Sequence, residues 1–182
     1  GRALYDLCHA RPNPIPFYGE LGSVNPMFCL PSALSNRASE IGAGWAGSLT
    51  MGAGQFCTNP GVAVMLKGAG ANALEQACVA ALQDVGEQKM LTDGIHEAYQ
   101  SGVDQFAERM EEVGSCGIAT KDRHAMPALF KISASDWMAN PVLQHEVFGA
   151  AGIIVLADDA SQIIELAEAL EGQLTATLHL DD

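Results

Sequence analysis

"PGVAVMLKGAGANALEQACVAALQDV", residues 60–85, decides the fold. Val62–Leu66 is a short apolar run between a Pro-Gly turn and a Lys-Gly break, the pattern of a strand buried on both faces. Leu74, Ala77, Cys78, Ala81, Leu82 and Val85 then recur at three- and four-residue spacing, which predicts an amphipathic helix. A buried strand running into a helix is the unit of an α/β sheet. Upstream, Met27–Leu30 reads as a strand, and the stripe of Leu34, Ala38, Ile41 and Trp45 predicts a helix. Downstream, Ile95, Tyr99, Val103, Phe106 and Met110 mark another helix, and Ala128–Ile132 and Gly152–Ala157 read as strands. Asp159 is placed to cap a helix carrying Ile163, Leu166, Ala167 and Leu170, and Leu174–Leu180 alternates like a last strand. At the start, Ala3, Leu4, Leu7 and Cys8 predict a helix over Arg2–Ala10, stopped by Pro12, Pro14 and Pro16, with a short strand at Ile15–Tyr18. The expected fold class is α/β with a mainly parallel sheet.

The 182 residues suffice for one compact unit, and 48% hydrophobic content supports a core. A formal net charge of −13, from 22 acidic and 9 basic residues, opposes contact with nucleic acid or an anionic membrane. The longest apolar run, 150–157, is far short of a spanning helix. Five cysteines with no Cys-x-x-Cys pair fit a reducing cytoplasm better than a disulfide framework, and no His/Cys/Asp/Glu cluster has metal-ligand spacing. Both ends read as cut, as in a piece of a longer polypeptide.

Two stretches carry candidate chemistry. In "GQFCTNPG", residues 54–61, Cys57 sits on a loop behind Gly52-Ala53-Gly54, where small residues let a ligand approach the sulfur. Cys8, Cys29, Cys78 and Cys116 lie in apolar periodic contexts and read as packing. In "FYGELGSVNP", residues 17–26, Glu20 ends a strand-like segment at a glycine turn, a position from which carboxylates face a crevice at the carboxyl ends of strands. A solvated turn glutamate is the plain alternative there.

"ELGSVNP" at 20–26, "GQFCTNPG" at 54–61 and "HEVFGAAGIIV" at 145–155 together resemble the NAD(P)-dependent aldehyde dehydrogenases, whose Glu-Leu-Gly-Gly, Gly-Gln-x-Cys and Glu-x-Phe-Gly motifs occur in that order. "PIPFYGELGSVNP" with "GQFCTNPG" is similar in particular to the branch that oxidises 2,5-dioxopentanoate, or α-ketoglutaric semialdehyde. The resemblance implies a three-layer α/β/α catalytic domain, with residues 1–22 as the tail of the cofactor-binding domain and 23–182 as the cysteine-bearing domain. It implies Cys57 as nucleophile and Glu20 as general base, with Glu146 holding the nicotinamide ribose, Phe148 beside the nicotinamide and Gly22 near that ring. The implied cofactor is NADP or NAD, the branch leaning to NADP. The implied substrate is a small aldehyde, and the whole protein is implied to be a homodimer or homotetramer. Ser23 and Val24 stand where many relatives have Gly-Lys, and Ala150 where many have proline. The family's glycine-rich cofactor turn, adenosine-binding lysine and oxyanion-hole asparagine correspond to positions upstream of Gly1.

These residue types suit the reaction the resemblance implies. A thiolate adds to the aldehyde carbon, the tetrahedral thiohemiacetal loses hydride, and a thioester remains. Water activated by a partly desolvated Glu20 then releases the acid. Two other classes stay open: a non-catalytic α/β module, and a cysteine hydrolase, which needs His9, His96, His124, His145 or His179 beside Cys57.

Overall fold

The computed structural model describes residues 1–115 and 117–181, so the packing expected of Cys116 lies outside the described residues. In chain order the elements are α1 (Arg2–His9), β1 (Met27–Cys29), α2 (Pro31–Thr50), β2 (Val62–Leu66), α3 (Ala69–Gln83), β3 (Gln88–Lys89), α4 (Asp93–Ala107), β4 (Glu111–Ser115), β5 (His124–Ala125), β6 (Ala128–Ser133), α5 (Ala134–Ala139), β7 (Ala151–Ala157), α6 (Ala160–Ala169) and β8 (Thr177–His179). Single 3₁₀ turns span Met51–Gly54 and Pro141–Gln144.

Six strands form one sheet in the order β4-β6-β7-β2-β1-β8. All neighbours are parallel except β4, which runs antiparallel to β6 at the edge. β3 and β5 pair separately as a small antiparallel ladder. The two central strands, β7 and β2, are apolar nearly throughout because helices cover both faces. Alternation divides them: Val62, Val64, Ile153 and Val155 face the layer of α4, α5 and α6, with Tyr99, Phe106, Trp137 and Leu166. Ala63, Met65 and Ile154 face α2 and α3, packing with Leu34, Ile41, Trp45, Leu74 and Cys78. The result is the expected three-layer α/β/α arrangement.

Helix starts follow their capping residues. Asp159 Oδ1 accepts from Gln162 N–H at 3.0 Å, Thr92 Oγ1 from Ile95 N–H at 3.2 Å, and Ser133 Oγ from Asp136 N–H at 3.1 Å.

The ends differ from expectation. Ile15–Tyr18 is not a strand, because Pro14 and Pro16 flank and interrupt it and remove the N–H donors a ladder needs. The alternation over Leu174–Leu180 yields only Thr177–His179, since the partner strand β1 offers three residues to pair with. α1 has no buried side chain, and Leu4 and Leu7 are exposed.

Candidate active site

Three sequence stretches meet because of strand order. β7, β2 and β1 are consecutive parallel neighbours, so the residues just ahead of each strand share one edge of the sheet. Those residues are 145–150, 54–61 and 20–26. Gly61 N–H donates to Val24 O at 3.0 Å and Ile153 N–H to Gly61 O at 2.9 Å, which closes the three lead-ins against one another. The edge is the amino-terminal one. This corrects the expectation that Glu20 follows a strand toward a crevice at carboxyl ends: with residues 15–18 unpaired, Glu20 belongs to the approach to β1.

Cys57 lies exposed on the loop between the Met51–Gly54 turn and β2. Its backbone is held firmly. Asn59 N–H closes a turn on Phe56 O at 3.0 Å. The Cys57 carbonyl accepts from Asn25 Nδ2 at 2.9 Å, the same amide donates to Asn59 O at 2.9 Å, and Trp45 Nε1 donates to Pro60 O at 2.7 Å. Asn59 Nδ2 bridges Gly54 O at 2.8 Å and Gly149 O at 3.0 Å, tying the cysteine loop to the turn after Phe148. Gly54 is required at that contact: its φ is +69°, and a Cβ there would stand 2.2 Å from the Gly149 carbonyl carbon. Cys29 and Cys78 are buried, and burial pushes both thiols up to about 12. Cys8 is half-buried. The packing role expected of Cys29 and Cys78 therefore holds, and Cys57 is the exposed thiol among the described residues.

Glu20, Gly22 and Glu146 are brought together around one open cavity, which Gly1, Arg2 and Leu21 also line. Gly22 N–H donates to Glu20 Oε1 at 3.2 Å, and a Cβ on Gly22 would stand 3.5 Å from Glu146 Oε2. Glu20 is exposed, contrary to the desolvation a base in this position calls for. The desolvated carboxyl is Glu146: burial first, and then the negative charge of Glu20, lift it above the usual carboxylate range, while the Ser23 N–H that it accepts pulls the other way. Phe148 shares a neighbouring cavity wall with His145, Glu146 and Asn59. Neither cavity is lined by Cys57; Asn59, two residues on, lines the one beside Phe148.

The amide side chains were not singled out by sequence reasoning. Asn25 is 2% exposed with φ +46°, and Gln173 Oε1 reaches across to accept from Val24 N–H at 2.7 Å and Asn25 N–H at 3.2 Å. The available signal was the Asn-Pro dipeptide at 25–26 and 59–60, two of four in the sequence, which marks turns. The histidines engage elsewhere: His9 with Tyr5 O, His96 with His124 O, and His124 with Asp122 O. His145 lines the cavity beside Glu146, and His179 lies in β8. Among the described residues no group of three or more His, Cys, Asp or Glu could hold a metal ion, and no helix is long and apolar enough to cross a membrane.

No protein-family model matches the chain. Over its whole length the chain is 42% identical to alpha-ketoglutaric semialdehyde dehydrogenase 2 of Azospirillum brasilense and 37% identical to alpha-ketoglutaric semialdehyde dehydrogenase of Acinetobacter baylyi. It spans 35% of the length of each of these curated relatives. Among solved structures, an NAD-dependent benzaldehyde dehydrogenase from Corynebacterium glutamicum superposes on 100% of the chain and 40% of its own length, with TM-score 0.76 and 19% identity.

Proposed function

We propose that this chain, which in fold and in similarity over its whole length is of the aldehyde dehydrogenase superfamily, carries the reacting groups for oxidation of an aldehyde to the carboxylic acid with NAD(P)+. The observation that carries the reading is the convergence of the Glu20, Cys57 and Glu146–Phe148 stretches on one sheet edge.

In this reading Cys57 adds as thiolate to the aldehyde carbon and holds the resulting thiohemiacetal, then the thioester. Its exposure leaves the sulfur open to a carbonyl. Glu20 removes a proton from the water that attacks the thioester, and the sulfur leaves as thiolate. Covering of the Glu20 cavity by other parts of a longer protein supplies the desolvation that a base requires.

The residues present fit a nicotinamide dinucleotide. Glu146 is a half-buried carboxylate in an open cavity, suited to accept from paired ribose hydroxyls, and bare backbone at Gly22 leaves space in front of it. Phe148 offers a flat apolar wall beside it. When bound, the cofactor supplies the hydride acceptor. Residues 1–22 are assigned to a cofactor-binding unit and 23–182 to the cysteine-bearing one. The exposed Leu4, Leu7 and Leu21 support this, as side chains left for other residues to cover.

For the substrate we propose a semialdehyde such as 2,5-dioxopentanoate, on the strength of the names of the two curated relatives. NADP is favoured over NAD by the same branch resemblance. The test is NAD(P)H formation by the longest natural polypeptide carrying this chain. Cys57→Ser abolishes turnover if the nucleophile is correctly assigned, and retained turnover refutes it. Glu20→Gln gives a burst of reduced cofactor followed by a stall; unimpaired steady turnover removes Glu20 from the role of base.

A further inference from the structure

We infer that Asn25 is the positioning residue that holds the nucleophile loop, and that Ser23, Gln173 and Thr175 lock it in place. The inference rests on the reading of Cys57 as the nucleophile.

Asn25 joins three parts of the chain that are distant in sequence. Its amide nitrogen donates to the carbonyls of Cys57 and Asn59, both at 2.9 Å, and approaches Ser23 O at 3.3 Å. Its amide oxygen accepts from Thr175 N–H at 3.2 Å and Thr175 Oγ1 at 3.0 Å, and lies 2.8 Å from Ser23 Oγ. Those donors fix which end of the amide is the oxygen, and so direct the two N–H groups at the cysteine loop. Gln173 Oε1 holds the Asn25 backbone, and Leu174 N–H donates to Ser23 Oγ at 3.0 Å. The residue is buried, so this network works out of water, where an unmade bond costs most.

The loop bonds are specific in what they set. Holding the Cys57 carbonyl fixes the plane of the peptide between Cys57 and Thr58, because that bond is rigid. Holding Asn59 O at the same time fixes the far end of the turn that carries the sulfur. A reacting group displaced by about 1 Å loses on the order of a hundredfold in rate, so a tether of this kind acts on the chemical step. Ser23, which departs from the glycine that many relatives have there, contributes a hydroxyl that glycine lacks.

The test separates positioning from general stability. Asn25→Asp keeps the oxygen that faces Thr175 and tolerates the positive φ, but presents a carboxylate in place of the donor to the loop. Asn25→Gly keeps φ and removes the side chain, and serves if the aspartate variant does not fold. Thr175→Val removes only the hydroxyl bond on the far side of Asn25; the Thr175 N–H and Ser23 Oγ still hold the amide oxygen, so the loop bonds stay in place. Hydrogen exchange of this chain is expected to rise about tenfold at the amides of Asn59 and Gly61 in either Asn25 variant, with Val62–Leu66 unchanged, and to stay within about twofold at that loop in Thr175→Val. In the longest natural polypeptide carrying the chain, the burst rate falls about tenfold or more with the cofactor KM unchanged. Uniform loosening of the whole sheet, equal loop exchange in Asn25→Asp and Thr175→Val, or a loosened loop with an unaltered burst overturns the inference. Failure of the Cys57 assignment is read independently, from turnover in Cys57→Ser.

Discussion

Gly54→Ala is the sharpest perturbation of the contact between the cysteine loop and the Glu146–Phe148 wall. An added Cβ at position 54 would lie 2.2 Å from Gly149 C, 2.3 Å from Ala150 N and 2.4 Å from Gly149 O. All three are backbone atoms, and Asn59 Nδ2 pins both sides of the contact, so no flexible side chain can give way. Holding alanine at φ +69° costs about 1–2 kcal/mol. Forcing the two backbones apart adds about 1–3 kcal/mol, for a total of about 2–5 kcal/mol. That is a large part of the about 5–15 kcal/mol available to a small domain. Urea denaturation followed by circular dichroism measures it as a drop in midpoint at constant slope. Gly44→Ala and Gly47→Ala are the controls: both glycines lie in α2 with nothing within 4 Å of an added Cβ, and each change stabilises by about 0.5–1 kcal/mol. A Gly54→Ala midpoint equal to wild type would refute the close approach and, with it, the route by which the loop is joined to Phe148.

Glu146 makes stability depend on pH. Its folded pKa is raised, so the contribution it makes is fully present below the unfolded carboxylate range and is lost as pH rises through the folded value. Glu146→Gln accordingly flattens the decline in stability from about pH 4 upward and leaves the protein more stable at neutral pH; an unchanged slope contradicts the burial argument. Among Cys29, Cys57 and Cys78, a thiol reagent at pH 8 labels Cys57 in the native chain, while the two thiols near 12 react only after denaturation; peptide mapping reads the order. Thr92→Ala removes the cap bond to Ile95 N–H and lowers stability by about 1 kcal/mol in the same urea assay, whereas Thr92→Ser retains most of it.

The long, periodic elements were legible because burial on both faces writes itself into composition. Val62–Leu66 is a strand with the bounds expected, and the stripes of α2, α3 and α4 hold buried residues of those helices, though Val85 and Met110 fall past the helix ends; in α6 Leu166 is buried, while Ala167 is exposed and Leu170 lies beyond the last turn. What escaped reading was short or polar. β4 is Glu111–Ser115, an edge strand with charged side chains and a register shift between Glu112 and Gly114; β3 and β5 have two residues each. α5 is six residues begun by Ser133, too brief for a period to show. At the site, the exposure of Cys57 followed from its glycine-rich, turn-rich surroundings. Asn25 was invisible because its meaning lies in partners 32 and 150 residues away, which no local pattern encodes. The exposure of Glu20 and burial of Glu146 likewise depend on which strand lead-ins become neighbours.

The Ser23–Asn25–Gln173–Thr175 network also ties an early part of the chain to a late one. Translation delivers Cys57 more than a hundred residues before Gln173 and Thr175 emerge, and the ribosome extends the chain at about 5–20 residues per second. Until those last partners arrive, the amide oxygen of Asn25 has Ser23 Oγ but not Thr175 to accept from, and the loop that carries Cys57 lacks the part of its clasp that comes from residues 173–175. The setting of Cys57 is thus completed only when nearly all of these residues have been made.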